Sequence, residues 1–184
     1  MSTATARWLK FAQVLEAPVR WVGAALGVLV LGVVLAEFAV VLMRYGWQWS
    51  QPWLRESVLA LNAAVFLLGM AWALQRDEHV RVDVLSRSWS PRTRAWVELV
   101  GMLLVVLPFA IFVFAVSDQY VVQSWRIGES SNESGGLPAL WVQKALIPAM
   151  AILLALQALA RAARQLAQLA AADQDTLAHS GRLP

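Results

Sequence analysis

The apolar residues of this chain fall in four runs of more than twenty residues each, not in short stripes that alternate with polar ones. That arrangement excludes most soluble folds, because a soluble helix or strand is apolar along one face only. The first run, residues 21–43, holds a single charge, Glu37. At 1.5 Å per residue its length reaches ~34 Å, enough for the hydrocarbon core of a bilayer. A cleaved signal peptide has an apolar stretch of only about 7–15 residues and then a small-residue cleavage site. Met43, Arg44 and Tyr45 follow here, so the run is expected to be retained.

The second run, 53–74, carries Arg55 and Glu56 in its first turn behind Pro52, where a helix tolerates proline. Ser90 and Pro91 read as an N-cap and a first-turn proline before the third run, 96–122, and Pro108 inside that run predicts a kink. The fourth run, 137–160, contains Lys144, expected to snorkel outward, and Pro148. Before the first run, Trp8, Phe11, Ala12 and Leu15 recur at helical spacing, with Arg7, Lys10, Gln13 and Glu16 on the other side. This predicts a short interfacial helix that Pro18 ends or bends. Residues 161–172 are rich in Ala and Gln and can prolong the last helix into water, whereas 173–184 are expected to be disordered. Residues 1–172 thus form one membrane domain.

Charge supplies the orientation. Arg7, Lys10 and Arg20, then Arg76, Arg81, Arg87, Arg92 and Arg94, then Arg161, Arg164 and Arg182 flank the runs on one side. The other side keeps Arg44, Arg55, Arg126 and Lys144. Lys and Arg are retained in the cytoplasm, so both termini are expected there. The predicted class is an all-α membrane protein with four transmembrane helices, both termini cytoplasmic, and a short N-terminal interfacial helix. A sequence pI near 10 would suggest nucleic acid for a soluble chain. Here the basic residues gather at run ends, which points to a membrane surface and not to nucleic acid.

Catalytic chemistry has no visible home in the sequence. The chain has no Cys and two distant histidines, His79 and His179, so thiolate chemistry is excluded and a haem or zinc site is not expected. No phosphate loop or nucleophile elbow is present, and neither an enzyme nor a bound cofactor is expected. Glu37 most needs explaining, since an ionisable group within a span is costly unless paired or hydrated. An ion pair with Arg44 or Arg55 is the plain account. A proton- or cation-binding carboxylate in a self-sufficient homodimeric transporter is the alternative. Glu56 is expected to accept from a helix N-terminus or pair with Arg44. Glu98 follows Arg94 by four residues and is expected to pair with it. Asp118 is expected to face an outer loop with Arg126, Glu129 and Glu133. That loop, 128–138, is dense in Gly, Ser and Asn and is expected to be flexible and solvated.

Taken in order, the features carry a resemblance. Met43-Arg44-Tyr45, Trp53 with Glu56, Gly69, and His79-Val80-Arg81-Val82-Asp83 with Leu85 precede a second block of Leu137-Pro138, Trp141, Pro148 and Gln157. The sequence resembles the small membrane subunit of tripartite ATP-independent periplasmic (TRAP) transporters, the DctQ-like family, over most of its length. Two departures are Arg55, where the family commonly has a second acidic residue, and a longer loop over 124–138. The resemblance implies a scaffold in the bacterial inner membrane, in contact with lipid, beside a large multi-span permease subunit that carries the solute and sodium sites. A periplasmic solute-binding protein would deliver an organic acid. Glu37, Arg44 and Glu56 are then candidates for the subunit interface, His79, Arg81 and Asp83 for a structural motif, and Arg126, Glu129 and Glu133 for periplasmic docking.

Overall fold

The computed structural model describes residues 3–76 and 89–180. Four long helices are each long and apolar enough to cross a membrane. They are α1 (Thr3–Gly46), α2 (Pro52–Gln75), α3 (Pro91–Arg126) and α5 (Leu146–Ser180), and a short α4 (Leu140–Lys144) precedes the last. No strand occurs among the described residues. Their starts follow local chemistry. Pro52 and Pro91 occupy first-turn positions whose N–H has no partner in any helix, and the Ser90 hydroxyl accepts from the Thr93 N–H at 3.1 Å.

Two prolines act differently from each other. Pro108 has no N–H to offer the Leu104 carbonyl, and just before it α3 widens into a π turn over Met102–Val106, closed by the Leu107 N–H on the Met102 carbonyl. The irregularity expected at Pro108 takes this form. Pro18, by contrast, does not end a helix. The N-terminal segment expected as a separate interfacial helix is continuous with the first span. The carbonyl deprived by Pro18 belongs to Val14, on the outer face where Val14 is 70% exposed. The opposite face, Ala12, Glu16 and Val19, is buried, and the helix runs through without a break. Glu16 is therefore not on a solvated side, as its spacing suggests. The last helix continues to Ser180, through most of the tail for which the sequence predicts no structure.

α5 is the hub. Its Leu153, Leu154, Ala160, Ala162, Ala163 and Leu169 contribute to four apolar clusters that bind it to every other long helix. Alanines 151, 158, 160, 162, 163 and 167 are all buried, so neighbouring backbones approach closely, which is how helices associate where lipid removes the usual hydrophobic drive. In its most apolar stretch α5 is 39% buried, against 6% for α1. α1 meets α2 at Gly23, where an added Cβ would overlap the Trp72 ring.

Candidate functional site

Polar groups collect at the two ends of the bundle, and one lies between them. At the end carrying the 127–139 loop, Glu56 projects from the first turn of α2 into that loop. Its carboxylate accepts from the Leu137 N–H at 2.6 Å and from the Ser131 hydroxyl. Gly136 makes room, since a Cβ there would lie 2.8 Å from Glu56 Oε2 and would also overlap Ser131. Gly135, at φ +77°, turns its carbonyl to accept from the Trp53 N–H at 3.2 Å. Further bonds run inside the loop, from the Ser131 N–H to the Leu137 carbonyl at 2.9 Å and from the Leu140 N–H to the Glu129 carbonyl at 3.0 Å.

Two ion pairs tie the same loop down. Lys144 on α4 donates to Glu129 and sits 4.0 Å from the Tyr120 ring centroid. The hydrogen bond from Lys144 holds the Glu129 carboxyl below the ordinary carboxylate range. Arg55 reaches Glu133 at 3.2 Å, with both side chains about half exposed, so this pair adds little stability. The connection, expected to be flexible and solvated, is largely exposed, and it is also a built loop. Its turn formers serve a defined backbone path closed on Glu56, a contact between residues some eighty positions apart that no local pattern reports. Glu56 thus pairs with the loop and not with Arg44. Lys144, expected to snorkel, is also a loop anchor. Asp118 and Arg126 line one small cavity on α3, while Glu129 and Glu133 point into their own pairs.

At the end carrying the chain termini, Glu16 of α1 is 3% exposed and accepts two bonds of 2.6 Å from the Arg164 guanidinium of α5. Glu98 of α3, for which spacing suggests Arg94, accepts from Arg161 and Gln165 of α5, both at 2.7 Å. These groups border a cavity of about 720 Å³ that Arg20, Gln75 and the buried Gln157 also line. The Glu16–Arg164 contact joins residues too far apart in the chain for spacing to pair them. Its signal was present: Glu16 shares a face with Ala12 and Val19, and Arg161 and Arg164 stand one turn apart just past the fourth run.

Between the ends, a groove of about 560 Å³ separates the outward faces of α1 and α2, and Glu37, Arg44, Arg55 and Asn62 line it. The structure thus brings Glu37 and both its expected cations to one groove. It does not join them. Arg55 turns to Glu133, and Arg44 lies over the Tyr45 ring at 5.9 Å. Glu37 is exposed and has no hydrogen-bond or ion-pair partner among the described residues. His79, Arg81 and Asp83 lie outside the described residues. Among the described residues no group of three or more His, Cys, Asp or Glu is placed to hold a metal ion.

Comparison with known proteins gives one positive finding. The family described as "Tripartite ATP-independent periplasmic transporters, DctQ component" matches residues 33–168. A search of curated proteins and a search of solved structures found no match. The matched range takes in the α1–α2 groove, Glu56 and the loop it fastens, and Arg161 and Arg164.

Proposed function

The chain belongs to the DctQ component family of TRAP transporters, and on that premise we propose that it is a scaffold pairing with a large multi-span permease subunit. The permease would carry out ion-gradient-driven uptake, with sodium as the coupling ion, of an organic acid delivered by a periplasmic binding protein. The small subunit itself holds no solute in this reading. It lies in the bacterial inner membrane with both termini in the cytoplasm, in keeping with the Lys and Arg excess at that end.

One observation carries the proposal. Three helices turn broad apolar faces away from a buried fourth: Val34, Leu35 and Phe38 on α1, Leu59 and Phe66 on α2, and Phe109, Phe112 and Val116 on α3 are all exposed. Such faces are suited to lipid and to the flat side of another membrane protein. A mobile transport domain needs a stationary wall, and this bundle enlarges it. The fastened 127–139 loop, with Arg126 beside it, forms a rigid outer surface on which a binding protein docks.

The test is to tag the C-terminal tail, extract the chain from its native membrane in mild detergent and identify what co-purifies by mass spectrometry. The expected result is one large multi-span protein in about equal amount. Recovery of the chain alone, or only as a homo-oligomer, would overturn the scaffold and favour a self-sufficient transporter built on Glu37.

A further inference from the structure

Glu37 stands six residues below Met43 and seven below Arg44, which is about 9–10 Å along α1. A glutamate side chain is too short to bring its carboxylate up that distance to water or headgroups, as a long basic side chain can do. Val33, Val40, Val41, Val58 and Leu59 make apolar walls for the groove, with Arg44, Tyr45 and Arg55 nearer the helix ends. One more polar side chain faces it from α2, Asn62, which is exposed. A carboxylate in such a place faces the bundle interior, a water-filled cavity or a partner. Here it faces away from the bundle, and both nearby cations are directed elsewhere.

The occupant follows from depth. A second copy with the same topology would be related by a twofold axis along the membrane normal, and such an axis matches residues of equal depth. It would set Glu37 against Glu37 and Asn62, never against Arg44 a full two turns nearer the surface. Two carboxylates brought together in a medium of low dielectric disfavour each other's charge. Lipid tails offer no donor at all. A different chain with a positive group at that depth is the occupant that leaves Glu37 charged and paired.

We propose that the α1–α2 groove seats a transmembrane helix of the large permease subunit, which brings an Arg, Lys or protonated His side chain to Glu37 while Asn62 completes the hydrogen bonding. This rests on the scaffold reading and adds the face, the depth and the charge of the contact. Glu56, committed to the loop, takes no part. Arg44 and Arg55 sit at the mouth of the groove and are not the pairing groups.

The experiment uses the co-expressed complex of this chain with its large subunit. A photo-crosslinking residue replaces Leu59 in the groove or, separately, Phe112 on the exposed face of α3, and Glu37→Gln is made in parallel. The expected result is crosslinking to the large subunit from position 59, and a loss of at least about tenfold in large subunit recovered with Glu37→Gln as detergent stringency rises. Loss of an outward-facing charge leaves the bundle intact, which a monodisperse elution of Glu37→Gln confirms. Crosslinks from position 59 to lipid or to a second copy, or to the large subunit from position 112 alone, overturn the proposed face. Unchanged recovery with Glu37→Gln, while position 59 still crosslinks, overturns the ion pair. If the wild-type chain recovers no large subunit, the scaffold reading itself fails, a result distinct from the other three.

Discussion

Removing Arg164 should destabilise the bundle although no apolar contact is lost. The Glu16 side chain is 5% exposed and receives two bonds of 2.6 Å from the guanidinium of Arg164, whose side chain is 45% exposed. Deleting one partner of a fully buried pair costs about 3–5 kcal/mol, because the other charge is left in a poor environment. Water reaches nearly half of Arg164, so part of that is screened, and we expect Arg164→Ala to cost about 2 kcal/mol. Glu16→Gln keeps the side-chain shape and one acceptor, and should cost about 1 kcal/mol. Replacing both residues by Met removes both charges and should come within about 1 kcal/mol of wild type. The assay is reversible unfolding in mixed micelles of mild detergent and dodecyl sulfate, followed by tryptophan fluorescence and analysed as a double-mutant cycle. The coupling between the two positions should exceed about 1 kcal/mol. Single variants within 0.5 kcal/mol of wild type, with no coupling, would refute the view that this pair clamps α1 to α5.

Three further outcomes follow from the loop and the helix contacts. Glu56→Gln and Gly136→Val should each release the 127–139 loop, one by weakening acceptance from Leu137 and Ser131 and the other by filling the space beside them; faster hydrogen exchange over those residues, with the span helices unchanged, is the expected reading. The Glu129 carboxyl is held below the ordinary value of 4.5 by Lys144, so the stability it lends is complete above that pH and is lost as pH falls through the lowered value. Loop protection, taken as exchange corrected for its intrinsic dependence on pH, should therefore hold steady above 4.5 and fall only below it, and Lys144→Gln should lower the protection above that pH and shrink the fall. Gly23→Leu should push α1 away from Trp72, and a blue or red shift of Trp72 emission in a single-tryptophan background would register the displacement; unchanged emission would count against close α1–α2 packing there.

Much of the architecture was legible from local chemistry. Four apolar runs, Pro52 and Pro91 at helix starts, the Ser90 cap and the disturbance at Pro108 each depend on a few adjacent residues. That the N-terminal segment is continuous with the first span is not legible around Pro18, because it depends on the α5 face against which Ala12, Glu16 and Val19 pack. The path of the loop is not legible in its composition, because Gly, Ser and Asn serve a mobile segment and a tightly turned one equally well. What separates the two is Glu56, far away in the chain, whose carboxylate gathers the loop's hydroxyl and amide donors.

The sequence by itself determined four helices long and apolar enough to cross a membrane, since the length and apolarity of each run favour a backbone bonded within itself. Which helix stands at the centre was decided only by tertiary structure. α5 is the least apolar of the four, with a mean hydropathy of 1.8 in its best window, yet it is the most buried, and α1 at 2.7 is the least. In water that order would be reversed. In lipid, large apolar side chains are at home facing outward, while an alanine-lined helix whose Arg161 and Arg164 pair with Glu98 and Glu16 finds its partners inside the bundle.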